Sequence, residues 1–208
     1  MKKLLVLGFV GVVGIVGLVL LVSIGIYNGL VRSGQEVEKQ WAQVENVYQR
    51  RADLIPNLVN TVAGAANFEK STLQEITEAR ASVGQLRLTP GQVPADPAAF
   101  AQFQQAQDGL SGALSRLLVV AERYPDLKAS ANFRDLQAQL EGTENRITVE
   151  RQRFNEAVQG YNTRVKTFPG SVFAGLFGFA AKPYFTAKPG ADAPPKVEFS
   201  FPSGDTSR

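Results

Sequence analysis

The chain of 208 residues contains no histidine and no cysteine, which removes imidazole and thiolate chemistry at once: no Ser-His-Asp triad, no disulfide, no zinc site and no Glu-x-x-His di-iron bundle. The net charge is +3, of which Lys2 and Lys3 supply two, so the remainder carries no basic stripe or phosphate loop for nucleic acid. No catalytic residue, metal or cofactor is expected, and an enzyme would have to work with carboxylates, Lys, Ser or Tyr alone.

The first element is an apolar run from Leu4 to Ile26, broken by Ser23. At about 1.5 Å per residue, roughly 23 residues make a helix of about 34 Å, enough for a hydrocarbon core of about 30 Å. A cleaved signal peptide has a shorter apolar core and a small-residue exit, which Ile24-Gly25-Ile26-Tyr27 does not offer. Residues 1–27 therefore read as an uncleaved single-pass anchor in a bacterial inner (cytoplasmic) membrane. Lys2 and Lys3 precede the span, while Arg32 and Lys39 come after it. This count of basic residues favours a cytoplasmic N-terminus with the bulk outside. Gly8, Gly11, Gly14 and Gly17 recur at every third position and wind around the helix. They are either a contact of a homo-oligomer or the ordinary glycine of membrane helices.

Residues 28–168 read as helix with three interruptions. In the first helix the apolar positions are Leu30, Val37, Trp41, Val44, Tyr48, Ile55, Leu58 and Val62, in the alternating three-four spacing of bundles. Pro56 leaves that register unshifted and predicts a kink, not an end. Gly64-Ala65-Ala66-Asn67 is the stronger break, with Asn67 as N-cap of the second helix. That helix carries Leu73, Ile76, Arg80 and Val83 and dissolves into the Pro- and Gly-bearing loop 88–97. Asp96 and Pro97 form an N-cap and first-turn pair. The third helix carries Phe100, Phe103, Leu110, Leu114, Leu117 and Ala121, and stops at Tyr124-Pro125. The last runs from Phe133 through Leu136, Leu140, Ile147, Phe154, Val158, Tyr161 and Val165 to Phe168. Each apolar face is too narrow to stand alone. The fold class is all-α: a transmembrane helix followed by an elongated antiparallel up-and-down bundle of about four long helices.

The tail, residues 169–208, changes character. Phe173, Leu176, Phe177 and Phe179 stand among small residues and suit either a membrane interface or a lid on the bundle. The up-and-down topology returns them to the lipid. From Ala187 the composition reads as extended or mobile, with 197–201 as a last docked strand.

One polar constellation interrupts the pattern. Gln49, Arg50, Arg51, Asp53 and Asn57 form a band on the first helix, and Arg51 falls on its apolar stripe. Glu144, Asn145 and Arg146 reach the same height on the last helix, about 22 Å from the turn. Pairing of Arg51 with Glu144 would fix which helices face each other. A ligand or partner site is the alternative use of the band. Glu75, Glu78 and Arg80, and Glu150, Arg151 and Arg153, read as solvated faces.

Several blocks resemble the LemA family: Tyr27-Asn-Gly-Leu-Val31, Trp41-Ala-Gln-Val-Glu-Asn-Val-Tyr-Gln-Arg-Arg-Ala-Asp-Leu-Ile-Pro-Asn-Leu-Val59, Thr77-Glu-Ala-Arg80, Phe133-Arg-Asp-Leu-Gln137, Thr143-Glu-Asn-Arg-Ile147 and Tyr161-Asn162. Phe168-Pro169, Leu176-Phe-Gly-Phe179, Pro183-Tyr-Phe185 and Pro195-Lys-Val-Glu-Phe199 extend the likeness into the tail. Where that family often has Tyr-Ala-x-His-Glu, this chain has Ala65-Ala66-Asn67-Phe68-Glu69. The resemblance implies a bacterial membrane-anchored helical bundle with no enzymatic activity to transfer, and a part in membrane organisation. The expected function is a non-catalytic scaffold that self-associates or organises partners at the membrane surface. An accessory or sensing module, regulating a neighbouring membrane enzyme or binding a ligand, is the alternative. Expected partners are membrane lipid, further copies of the chain and another membrane protein.

Overall fold

A single helix carries the chain from the apolar run into the bundle. The computed structural model describes residues 2–64, 68–86 and 89–187, with side chains from Phe9 onward. Its helices are α1 (Lys2–Ala63), α2 (Lys70–Gly84), α3 (Pro97–Ala121), α4 (Pro125–Ala129), α5 (Ala131–Lys166) and α6 (Gly170–Phe177). Among the described residues there is no strand. The 62 residues of α1 correspond to a rod of about 93 Å. Its apolar segment is long and apolar enough to cross a membrane, and none of that stretch is buried inside the protein.

Pro56 lies within α1 without ending it. An interior proline costs about 3 kcal/mol. Ile55 and Leu58 on either side are almost wholly buried, and each such side chain gains about 1.5–3 kcal/mol. Tertiary burial wins, and the helix runs on to Ala63.

The bundle is the expected up-and-down one. Helix α5 packs antiparallel along α1, so that Arg164 near its end reaches the Gly29 carbonyl of α1 at 3.2 Å. Helices α2 and α3 form a second antiparallel pair, bridged by Arg116–Glu75 at 2.8 Å and Arg123–Glu69 at 2.9 Å. Asp96 caps α3 by accepting from the amides of Ala98 and Ala99, and Pro97 occupies the first turn. The N-cap of α2 is Glu69, without a side-chain capping bond. The expected cap Asn67 lies outside the described residues. Between α3 and α5 the short α4 starts at Pro125, and Ser130 adopts an extended backbone that separates α4 from α5.

Helix α2 is the short member, 15 residues against 25 in α3 and 36 in α5. It therefore covers only the end of the bundle distal to the apolar run. The core divides accordingly. The distal block contains Ile55, Leu58, Val62, Ile76, Leu117 and Leu140. The proximal block contains Trp41, Phe100, Phe103 and Phe154, completed by Val93 and Phe185 in place of a fourth helix. Val93 is tied down by its amide, which donates to Glu38 Oε2 at 2.9 Å. Phe185 packs against Phe100, Phe154 and Trp41, at centroid distances of 4.9, 5.4 and 6.1 Å.

The tail does two different things. Gly170 lies so close to the Arg164 carbonyl that a Cβ would collide with it, and Gly178 ends α6 in the left-handed region at φ +74°, where glycine is unstrained. Between them α6 buries only Ala174. Residues 182–187 then form an extended strap across the proximal block. Three amide side chains hold it, each donating to and accepting from the strap backbone: Asn162 to Lys182 (2.8 and 2.8 Å), Asn155 to Phe185 (2.9 and 2.9 Å) and Gln104 to Thr186 (2.7 and 3.1 Å). Lys182 Nζ pairs with Glu38. The segment from Phe173 to Phe179, for which a lid is one alternative, is therefore not what covers the proximal block: residues 182–187 do, and α6 stays largely outward. The strand expected at 197–201 and the mobile end lie outside the described residues.

Phe185→Ala is expected to lower stability by about 3 kcal/mol, the usual cost of emptying a buried aromatic site. It should also open the strap to protease at 180–187 while leaving helix content intact. Chemical denaturation and limited proteolysis of the detergent-solubilised protein check both.

Candidate functional site

Between the two apolar blocks lies a polar layer. Tyr48 and Ile55 bracket it on α1, Phe103 and Leu110 on α3, and Leu140 and Ile147 on α5. Within those brackets Arg51, Gln107 and Thr143 occupy the apolar stripe of their respective helices, and each is buried. Arg51 is 1% exposed and is the largest charged group inside the molecule.

The guanidinium of Arg51 is held from two other helices. Nη1 donates to Glu144 Oε1 of α5 at 2.7 Å and to Ser111 Oγ of α3 at 2.6 Å. Nη2 donates to the Gln107 carbonyl at 3.3 Å and to Gln107 Oε1. Ser111 in turn donates to Glu144 Oε2 at 3.2 Å, and the Tyr48 ring lies 5.1 Å from the cation. Arg51 Nε is buried without a partner among the described residues. Thr143 turns its hydroxyl back to the Gln139 carbonyl at 2.7 Å, so it adds a polar residue to the layer without entering the clamp. The Arg fork suits this arrangement because it keeps its charge and presents several donors in one plane.

The rest of the expected cluster does not gather here. Gln49, Arg50, Asp53 and Asn57 are directed away from it on α1, where Gln49 Nε2 donates to Asp53 Oδ1 at 2.8 Å. Asn145 and Arg146 are exposed on α5. Of the eight polar residues singled out from the sequence, Arg51 and Glu144 are the pair that the fold brings together. Gln107 and Ser111 went unread, although Gln107 breaks the α3 stripe just as Arg51 breaks that of α1.

A second polar group sits one layer nearer the apolar run. Arg151 is not a solvated side chain, as its neighbours Glu150 and Arg153 suggested. Its Nε donates to Tyr48 Oη at 2.6 Å and its Nη2 to Asp108 Oδ1 at 2.8 Å. Its cation lies 4.8 Å from the Phe185 ring. Burial pushes the Tyr48 phenol above its ordinary range, partly countered by the charge of Arg151. Burial opposes the charge of Arg151, but Tyr48 and Asp108 outweigh it and hold the group protonated. Among the described residues no three acidic side chains gather where they could hold a metal ion.

The remaining candidates lie at the other end. Gly11, Gly14 and Gly17 face open space on the single chain. Gly8 lies outside the residues whose side chains are described. Leu176 is 73% exposed and Phe177 56%, while Phe173 and Phe179 are half-buried. Tyr27, at the end of the apolar run, meets Phe177 at 5.0 Å and Phe179 at 5.7 Å between centroids.

Removing one partner of the clamp separates its two halves. Glu144→Ala leaves a buried cation and is expected to cost about 3 kcal/mol. Arg51→Leu should cost less, because the Glu144 side chain is already 38% exposed and regains water. The double variant Arg51→Leu with Glu144→Leu should return towards wild type. Denaturation midpoints in a double-mutant cycle test this. Tyr48 provides a second check. Its folded pKa lies above its unfolded value near 10. The stability linked to it is present below that pH and is lost as pH rises through the folded value. Burial and the charge of Glu38 also raise Tyr161, so ultraviolet titration should show a late-ionising phenol fraction that shrinks, without vanishing, in Tyr48→Phe.

Several known proteins are similar to this sequence over most of its length. Residues 40–199 match the LemA family. Magnetosome protein MamQ of Magnetospirillum gryphiswaldense is 26% identical over 183 residues, covering 81% of this chain and 67% of that protein. Magnetosome protein MamQ 2 of Paramagnetospirillum magneticum matches to the same extent. Protein LemA of Metamycoplasma hominis is 24% identical over 147 residues, covering 71% of this chain and 63% of its own length. With a family match that covers well over half of its residues, from within α1 through α6 and the strap, the chain belongs to the LemA family.

Proposed function

We propose that the protein is a membrane-anchored scaffold that holds a rigid helical bundle at the bilayer surface, where it self-associates or organises partner proteins. The observation that carries this reading is the continuity of α1, which passes from an unburied apolar segment into the bundle without a break. A hinge would let the bundle reorient freely. A continuous helix instead transmits the position and tilt of the span to the bundle. The relatives named magnetosome proteins support a role at membranes. The absence of histidine and cysteine, and the use of the buried polar groups on one another, support a non-catalytic role. The span has the bacterial inner membrane as its natural site. The charge count at its ends favours an external bundle, and Gly11, Gly14 and Gly17 offer bare backbone for close approach of a second span.

A second reading, a ligand-sensing module, has one observation in its favour. Glu144 and Asn145 border a shallow groove of about 370 Å³ with Ser111 and Glu141, so a ligand there would touch the clamp.

The chain has no cysteine, which makes single-cysteine cross-linking in native membranes clean. The outward face of α1 offers Arg50 and Lys39 as attachment points, both away from the core. Arg50→Cys and Lys39→Cys should each give discrete adducts of twice the monomer mass or larger, containing this chain or one defined partner. A strictly monomeric, partner-free pattern at both positions would falsify the scaffold reading.

A further inference from the structure

Where α5 turns into α6, the chain leans against α1 at the upper end of its apolar segment and leaves a groove of about 400 Å³. One wall is Val22, Gly25 and Ile26 of α1, and the other is Arg164, Phe168 and Gly170. We propose that this groove is a binding site for an anionic phospholipid, with its phosphate on Arg164 and one acyl chain along the Val22–Ile26 wall. The inference rests on the membrane-anchor reading and adds to it a ligand class and the residues that select it.

Four observations meet here. Tyr27 marks the level at which the span leaves the hydrocarbon, as interfacial aromatics do, and its ring is fixed against Phe177 and Phe179 of the returning tail. Val22 lies five residues before it, about 7.5 Å deeper, so the groove runs from headgroup depth into acyl depth. The rim is apolar on the outside: Phe168 is 83% exposed, and Val172, Leu176 and Phe177 are each at least half exposed. Such a cluster is costly in water and natural in an interface. Finally, the polar end is cationic. Arg164 donates one Nη1 bond to the Gly29 carbonyl, and the residue is otherwise exposed, with further donors to offer. Arg32 and Lys166 stand within about one helical turn of that contact. Among the described residues none of the three has a carboxylate partner within ion-pair distance, whereas the neighbouring Lys39 and Lys182 do. A phosphodiester fits an Arg fork, and its tails fit the groove below.

Glycine at position 25 is the bare point of the α1 wall, and a Cβ there would meet nothing within 4 Å. A larger residue would fill the groove without disturbing the fold.

The full-length protein is reconstituted in nanodiscs of phosphatidylcholine containing a minor share of phosphatidylglycerol. It is then extracted into mild detergent, and retained lipid is counted by native mass spectrometry. Wild type should retain phosphatidylglycerol about fivefold above its share in the disc, the effect of roughly one basic residue at an anionic surface. Arg164→Gln should bring retention down to that share. Gly25→Leu should lower retention of both lipids while the denaturation midpoint stays unchanged. Proportional retention by wild type, or retention unchanged in both variants, overturns the lipid site. So does an efficient disulfide between copies of Gly25→Cys, since the groove would then hold a second span. Those outcomes leave the anchor standing. Extraction of the protein from vesicles by alkaline carbonate would instead overturn the anchor and the lipid site together.

Discussion

The buried guanidinium of Arg51 is the constraint on which the rest of the bundle depends. Apolar stripes with three-four spacing repeat every seven residues, so α1, α3 and α5 could slip past one another by a heptad and still bury hydrophobic surface. Arg51 removes that freedom. A slip of seven residues would carry it about 10 Å along the axis, away from Gln107, Ser111 and Glu144. It would leave an unpaired cation among leucines and phenylalanines, at a penalty of several kcal/mol. The clamp adds little net stability to the correct register. Its effect lies in how strongly it penalises the wrong ones.

That register sets what happens at the far end of the bundle. With Arg51 matched to Glu144, the antiparallel course of α5 brings Asn155 and Asn162 to the proximal block, and Arg164 against Gly29. The strap then finds its three amide partners, and α6 is delivered to Tyr27. A one-heptad error would displace α6 from the end of the apolar segment by about 10 Å, a third of a bilayer's hydrocarbon thickness. The height of the aromatic tail is therefore controlled by a polar contact in the middle of the protein.

The helices and the clamp were open to sequence reading to different degrees. The α1 stripe was legible because its period passes through Pro56 unshifted, and Asp96-Pro97 announced the start of α3 by local chemistry alone. Arg51 and Glu144 could be paired by counting residues from the turn. Gln107 carried the same signal as Arg51, a polar residue in an apolar stripe, but a neutral amide is less conspicuous there than a charge. Acidic and basic residues flank Arg151 and suggest a solvated face, whereas its burial comes from Tyr48 and Asp108 on two other helices. The strap was illegible for a firmer reason. Residues 182–187 have neither a helical nor a strand period, and their backbone is satisfied by side chains of Gln104, Asn155 and Asn162 that lie 20 to 82 residues away in sequence.

The short α2 explains why such a strap exists. A helix of 15 residues cannot cover a groove lined by α5, which has 36, so the proximal half of the bundle would expose Trp41, Phe100 and Phe154 to water. Closing that groove with another helix would put a fourth stripe against rings already packed at 5–6 Å. An extended segment is thinner and can enter with a single ring, Phe185, while its backbone amides and carbonyls are met by Asn and Gln side chains. These amides supply both a donor and an acceptor, so they substitute for a neighbouring strand in an all-helical setting. The family match runs through residue 199, past the strap. This is what the packing requires: in this fold the strap completes the core and is not an appendage to it.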